Sequence, residues 1–366
     1  MEYRYLGGST LKVSALGLGC REFGKRDISA QACRNVVRKA LDLGVNFLDT
    51  ADVYGDGQSE EYLGAALARF PRDSYVLATK GGAERLGPGM ERQNGDPLFL
   101  RRSLEASLKR LRIDYVDLYQ LHNSDPAVPL DYTAEAFVRF VEEGKVRHVG
   151  VSNMDRQDLD LWLSLVPDTV SIQLPYSLLD RGRVDALFRD GRQDRVSLIP
   201  WAPLFTGYLV NPSPPGLEEG TGFYSVLSQE FVDAADRVCA LVRAMAADHW
   251  AKPSAIALAF VLRRLEVATV PVGTTSPVHL QEDIRALEVN LAPGELDQLN
   301  EAAAAVPPPE VLAALEVVEA LDGGRVAVLP SGLKVKAPGK VVRGDMIEVN
   351  LWDGKARSVP GQEREA

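Results

Sequence analysis

The chain is poor in the residues that build disulfide frameworks and metal clusters. Its 366 residues include three cysteines, Cys20, Cys33 and Cys239, and four histidines. No CxxC pair occurs, and an odd count makes no disulfide framework, so the expected compartment is the reducing cytoplasm. Histidine is too scarce, and too scattered from cysteine, for a metal cluster, and none is expected. Asp and Glu number 51 against 41 Lys and Arg, a net charge of −10. That balance argues against nucleic acid and membrane surfaces as partners, because both recruit clustered cations. It leaves room for a small anion held by local cations and helix ends. No apolar run approaches ~18 residues, and the opening MEYRYLGGSTLKVS lacks a signal-peptide core, so no membrane span is expected. A dinucleotide fingerprint is missing too. Gly17-Leu18-Gly19 follows an apolar run, but the third glycine of GxGxxG would fall at Glu22. That argues against a Rossmann domain.

What is present is alternation. Residues 1–13 read as a β-hairpin around Gly7-Gly8-Ser9. Eight short apolar runs follow: VSALGLGC, VNFLD, YVLATK, YVDLYQLH, VRHVGVSN, TVSIQLPY, VSLIPWAP and VATVPVGT. Segments with helical spacing separate them, at 29–43, 99–112, 134–144, 155–165, 183–190, 228–249, 277–286 and 294–304. Buried strands alternating with amphipathic helices imply parallel strands with right-handed crossovers. Eight such units fit a (β/α)8 TIM barrel, an α/β fold; an open doubly wound sheet is the competing architecture. Ser59 in SEEYLG reads as the N-cap of a helix. Three segments, 81–98, 123–133 and 204–227, read as long loops after strands, where a barrel gathers its functional surface. The texture changes after Ala305. PPPEVLAALEVVEALDGG reads as a proline break and a short helix, and the remainder as short β-runs. We take 1–305 as the barrel and 306–366 as a β-rich C-terminal extension. Sixty residues build a marginal core, so the extension is expected to dock on the barrel or to serve a homo-oligomer contact.

In a barrel of this kind the C-terminal strand ends converge on one pocket. Those ends carry Asp49, Lys80, His122, Ser152 with Asn153, Gln173, Trp201 and Gly273-Thr274. Any one of them has an ordinary reading, as a solvated lysine or a structural histidine. Together, with Tyr54 just beyond Asp49, they form a coherent set. A phenol titrates near 10, too high for easy proton exchange at neutral pH. A neighbouring ammonium favours the phenolate, and a carboxylate offsets the ammonium's desolvation. His122 can hydrogen-bond a carbonyl oxygen. The set suits an oxygen that gains negative charge as its carbon receives a hydride. Ser152, Asn153 and Gln173 suit a carboxamide such as that of nicotinamide, and Trp201 offers a flat face.

These segments resemble the aldo-keto reductase superfamily. The matching motifs are NFLDTADVYGDGQSEEYLG, ATKGG, LRRSLEASLKRLRIDYVDLYQLH, GKVRHVGVSN, IQLPYSLLDR, PWAPL and VPVGTTSP followed by LQED, in family order within residues 1–304. The resemblance implies a barrel with an N-terminal hairpin cap and an extended nicotinamide dinucleotide across the C-terminal rim. It implies catalytic roles for Asp49, Tyr54, Lys80 and His122, with Tyr54 as general acid/base. It implies cofactor contacts at Gly19, Ser152, Asn153, Gln173, Trp201, Pro203, Leu204, Gly207, Gly273, Thr275, His279 and Asp283. NADP(H) is favoured on family frequency and NAD(H) stays open, since His279 stands where many NADP-preferring relatives have Arg. The expected activity is hydride transfer between nicotinamide and a small carbonyl or alcohol substrate, aldehyde, ketone or sugar-like. The alternative is a cofactor-binding, redox-sensing regulatory protein of the same fold, with the extension as its docking module. Arg21, Arg85, Arg92 and Arg181 lie in or near the rim; solvated surface is their first reading, and contact with an acidic or phosphorylated substrate group the second.

Overall fold

The computed structural model describes residues 1–87, 90–189, 195–212, 227–309, 312–329, 334–337, 339–350 and 356–358. A hairpin of β1 (Tyr3–Tyr5) and β2 (Lys12–Ser14) precedes the alternating part. Then come β3 (Leu16–Gly19), α1 (Ala30–Asp42), β4 (Phe47–Asp49), α2 (Gln58–Leu67) and β5 (Val76–Gly81). A second hairpin, β6 (Ala83–Gly87) and β7 (Met90–Gln93), leads to α3 (Pro97–Leu111), β8 (Val116–Leu121), α4 (Leu130–Glu142), β9 (Val146–Ser152) and α5 (Arg156–Leu165). The remainder of this part is β10 (Thr169–Pro175), α6 (Gly182–Leu187), β11 (Ser197–Trp201), α7 (Gln229–Asp248), α8 (Pro253–Leu262), β12 (Val270–Gly273), α9 (Pro277–Ile284) and α10 (Pro293–Ala304).

Eight parallel strands pair in the order β11-β10-β9-β8-β5-β4-β3-β12. A bridge from Leu198 of β11 to Val267, just before β12, brings the sheet close to full closure. This is the expected barrel, not an open sheet. Side chains alternate along each strand, so every second residue points inward. Phe47, Ala78, Leu118 and Ile199 share an apolar cluster near the N-terminal end. Two residues further along the same strands stand Asp49, Lys80, Gln120 and Trp201. One period of alternation therefore separates an apolar floor from a polar rim. The N-terminal hairpin closes the floor. Leu6 and Val13 join the apolar cluster, and Gly7 N donates to Ser197 Oγ at 2.7 Å.

Four expectations change. The segment 81–98 is largely the β6–β7 hairpin rather than a loop, because AERLG pairs antiparallel with MERQ. Ser59 does not cap α2. Gly57, at φ 91°, takes the cap position, while Ser59 is buried and bonds Cys20 O at 2.7 Å and Thr50 Oγ1 at 2.8 Å. The helix α8 went unrecognised because Ser254–Leu262 is buried on every side and shows no amphipathic period. The short helix expected after Pro309 is instead β13 (Leu312–Glu316) and β14 (Glu319–Leu321), since pairing with later strands overrides the helical propensity of LAALE. Of the expected loop 204–227, residues 213–226 lie outside the described ones.

The extension continues with β15 (Val326–Val328), β16 (Lys334–Lys336), β17 (Met346–Asn350) and β18 (Ala356–Ser358). Two antiparallel sheets, β13-β17-β18 and β14-β15-β16, enclose a core of Val317, Ala327, Leu329, Val335, Val341, Ile347 and Val349. Among the described residues no helix is long and apolar enough to cross a membrane.

The hairpin cap gives a direct test of this arrangement. Gly7 has φ 53°, and a Cβ there would stand 2.3 Å from Val170 O and 2.5 Å from Arg195 O. Gly7→Ala is expected to destabilise the chain by ~2 kcal/mol or more in urea unfolding. A change within ~0.5 kcal/mol would show that the turn does not seal the barrel.

Candidate active site

The rim is held by one buried ion pair. Lys80 Nζ donates to Asp49 Oδ2 at 2.6 Å, with the lysine side chain 0% exposed and the aspartate 8%. It also donates to Thr50 O at 3.0 Å and stands 3.5 Å from Tyr54 Oη. Burial opposes the lysine's charge; the Asp49 carboxylate and Tyr54 favour it, and the balance leaves its pKa above the ordinary value. Asp49 Oδ1 accepts from Gln120 Nε2 and Gln173 Nε2, each at 3.1 Å. The Gln173 contact crosses the barrel interior, because β10 and β4 are not neighbours. Gln173, expected to serve a carboxamide, thus already commits its amide nitrogen to Asp49.

Tyr54 is placed by unusual backbone. Gly55, Asp56 and Gly57 all have positive φ, at 64°, 57° and 91°. Gly24 and Gly55 meet back to back: a Cβ on Gly55 would lie 2.4 Å from Gly24 O, and one on Gly24 2.6 Å from Tyr54 C. The short helical turn Arg21–Gly24 can press on the Tyr54 loop only because both residues are glycine. The Tyr54 ring meets His122 edge-on, with centroids 5.9 Å apart and planes at 83°.

His122 is neutral over the working pH range. Burial, then the charges of Lys80 and Arg21, lower its pKa from 6.5 to about 3. Its Nδ1 is shielded from solvent and has no hydrogen-bond partner among the described residues. The backbone around it is well tied: His122 N donates to Gly81 O at 2.9 Å and His122 O accepts from Asn153 Nδ2 at 3.2 Å. Asn153, at φ 57°, also accepts from Trp201 Nε1 at 3.1 Å through Oδ1. Ser152 Oγ donates to Gln173 O at 3.1 Å. Asn153, Ser152, Gln173 and Trp201 therefore form one connected arc beside the tetrad.

The other expected contacts lie around the rim. Gly19 and Gly273 are paired in register on β3 and β12. Pro203, Leu204 and Gly207 follow β11 on a segment where Ala202, Phe205 and Thr206 all adopt positive φ, at 48°, 49° and 52°. Three non-glycine residues in that region mark stored strain of the kind found at ligand clamps. Thr275 is half-buried and His279 is exposed on the first turn of α9, whose N-cap Ser276 accepts from His279 N at 3.3 Å. Asp283 is buried; burial pushes its carboxyl up to about 6 against a hydrogen bond from Ser254.

Sequence reading missed a polar cluster behind β5. Glu60, fully buried, accepts from Thr79 Oγ1 at 2.6 Å and pairs with Arg110 at 2.7 Å. Asp52 bonds Ser103, and burial pushes its carboxyl up to about 7. SEEY reads as a helix start and Asp52 carries no reading at all, and nothing in the spacing of these acids pointed to α3. A cavity of about 670 Å³ opens nearby between the β6–β7 hairpin, α3 and residues 52–56; none of the tetrad lines it. Of the four rim arginines, Arg85 pairs with Asp56, Arg92 with Glu84 and Arg181 with Asp185. Arg21 has no carboxylate partner among the described residues.

The side chains gathered at the strand ends, a phenol beside a buried ammonium and an imidazole, are of a kind that can exchange a proton with an oxygen. A model described as the Aldo/keto reductase family matches residues 15–304, and the chain belongs to that family. It is 32% identical over 308 residues to a probable aldo-keto reductase 1 of Glycine max, across 81% of this chain and 87% of that protein. It is 30% identical over 330 residues to a putative voltage-gated potassium channel subunit beta of Schizosaccharomyces pombe, across 82% and 92%. Among solved structures, aldo-keto reductase AKR11C1 from Bacillus halodurans in its holo form is similar with TM-score 0.70 and 31% identity, covering 83% of this chain and 97% of that one. Membership implies nicotinamide-dependent oxidoreduction of carbonyl compounds.

The depressed His122 value has a consequence for pH. A group at about 3 in the folded chain and 6.5 in the unfolded one favours unfolding as pH falls below 6.5, because the unfolded state takes up the proton first. Between about pH 5 and 8 the folded imidazole stays neutral. Histidine ring resonances followed by NMR are expected to show no titration of His122 in that window. A midpoint near the ordinary value of 6.5 would contradict the site as described.

Proposed function

We propose that the chain is an NAD(P)H-dependent carbonyl reductase, or alcohol dehydrogenase in the reverse direction, with Tyr54 as general acid/base. The observation that carries this reading is the Lys80–Asp49 pair, with Tyr54 Oη 3.5 Å from the ammonium and its ring edge-on to His122. A buried ammonium stabilises negative charge on the phenol oxygen, which is what a proton donor develops as it gives up its proton. His122 acts as a neutral hydrogen-bond donor. Its Nδ1 has no hydrogen-bond partner among the described residues, which leaves Nε2 as the nitrogen to carry the proton toward a substrate carbonyl. Tyr54 and His122 together cradle that oxygen as it becomes an alkoxide.

The residues present fit a nicotinamide dinucleotide. The Asn153 amide meets the Trp201 indole, and the Ser152 hydroxyl meets the Gln173 backbone. Among the described residues nothing lies within 4 Å of where a Cβ on Gly207 would stand, which suits a close approach by a phosphate. Bound there in reduced form, the cofactor supplies the hydride. Ser152, Asn153 and Gln173 would hold its carboxamide, Trp201 its ring, and Gly19, Pro203, Leu204 and Gly207 its pyrophosphate. The segment Gly273 to Asp283, with Thr275 and His279, would hold the adenosine end. NADP(H) is favoured over NAD(H) on family frequency. Arg21, exposed and without a carboxylate partner among the described residues, is a candidate contact for an acidic group on the substrate.

A second reading is a cofactor-binding regulatory protein, favoured by the likeness to a protein named as a channel subunit. One experiment separates the two. Reduced nicotinamide oxidation is followed with neutral and acidic aldehydes in the wild type and in Tyr54→Phe, alongside fluorescence titration with NADPH and NADH. The expected result is turnover that falls by ~10²-fold or more in the variant with cofactor affinity retained. Cofactor binding with no turnover across the panel would favour the regulatory reading; unchanged turnover in Tyr54→Phe would remove Tyr54 from its role.

A further inference from the structure

Asp125 stands three residues after His122 and carries a buried carboxylate. Its Oδ2 accepts from Gly95 N at 3.2 Å and from Lys334 Nζ at 2.8 Å; its Oδ1 accepts from Ala127 N at 2.9 Å. The aspartate side chain is 1% exposed and the lysine 11%. Lys334 lies on β16 of the C-terminal extension, 209 residues further along the chain. Its backbone N donates to Gln93 Oε1 at 3.0 Å. Two residues on, Lys336 Nζ pairs with Asp158 at 2.8 Å and reaches Asp155 at 3.8 Å, at the start of α5. The strand β16 is thus fastened to the segments that follow β5, β8 and β9: β5 and β9 carry Lys80 and Ser152, and His122 is the first residue after β8.

The two lysine contacts differ in kind. Lys336 is half-exposed, and a solvated pair holds little. Lys334 is the counter-ion of a carboxylate removed from water, and such a pair is costly to break from one side. The His122 ring has no side-chain hydrogen bond of its own to fix it at Nδ1. Its place depends on the backbone on either side. Upstream, β8 holds that backbone; downstream, the Asp125 carboxylate ties residues 125–127 to Gly95 and to Lys334.

We propose that Lys334 is a positioning residue for His122: through the buried Asp125 pair, the C-terminal extension holds the segment after His122 in the conformation that aims its imidazole at the substrate oxygen. The consequence rests on the role proposed for His122. The extension is then a working part of the site and not a separable module.

The test uses the full-length chain as Lys334→Met, Lys334→Arg and the double variant Lys334→Met/Asp125→Asn. Two readouts are taken: kcat with a small aldehyde, and the ring resonances of the four histidines, His122, His148, His249 and His279, in the chain without cofactor. In Lys334→Met the expected result is a fall in kcat on the order of tenfold. The His122 resonance is displaced, the other three stay in place, and affinity for reduced cofactor is retained. Lys334→Arg keeps both near wild type. The double variant buries no lone charge, so it recovers thermal stability yet keeps the low kcat and the displaced resonance. It carries the test if Lys334→Met does not fold. A double variant with wild-type kcat and wild-type His122 resonance would reduce Lys334 to charge compensation and overturn the proposal, as would a Lys334→Met chain unchanged in both readouts. A wild type that turns over no carbonyl compound defeats the proposed function alone, and the His122 resonance still decides the positioning claim.

Discussion

The rim of this barrel depends on the ion pair between Lys80 and Asp49. Two charges withdrawn from water carry a desolvation cost of several kcal/mol each, offset only where geometry and further hydrogen bonds are good. Both conditions are met. The ammonium has a carboxylate at 2.6 Å and a carbonyl at 3.0 Å; the carboxylate has two amide donors at 3.1 Å. One of those donors reaches across the barrel from β10. The pair is thus a cross-brace as well as an electrostatic device. It fixes the direction of Lys80 toward Tyr54, and its positive end, with Arg21, adds to the burial that keeps His122 neutral.

Backbone conformation supplies the rest of the precision. The Tyr54 loop passes through three consecutive left-handed residues, Asn153 is left-handed, and so are Ala202, Phe205 and Thr206. Each non-glycine residue there costs on the order of 1 kcal/mol or more. They sit on segments that leave β4, β9 and β11, whereas the apolar floor beneath is regular strand. Five of the eight left-handed non-glycine residues among the described ones lie on these segments, while Arg112, Trp250 and Asp322 lie elsewhere, so strain is concentrated at the barrel mouth without being confined to it.

Much of this was legible in the chain. The eight strands and their polar ends follow from short apolar runs that close on Asp49, Lys80, His122 and Gln173, because the C-terminal strand ends of a barrel gather at its mouth. What stayed hidden had physical causes. A helix buried on all sides, as α8 is, has no polar face to reveal its period. LAALE has helical propensity, and only its pairing with β17 makes it a strand. The Glu60–Arg110 and Asp125–Lys334 pairs join residues 50 and 209 positions apart, and no local pattern encodes such partners. Gln173 was legible as a site residue, but its bond to Asp49 was not, since that depends on which strands face each other across the barrel.

The claim on which the account turns is that Asp49 and Lys80 act on Tyr54 as one unit. It is tested most directly by a double-mutant cycle on carbonyl turnover with Asp49→Asn, Lys80→Met and the double variant. The account predicts strong non-additivity: each single change removes most of the activity, and the second adds little. Losses that multiply independently, so that the double variant shows the product of the two single effects, would contradict it.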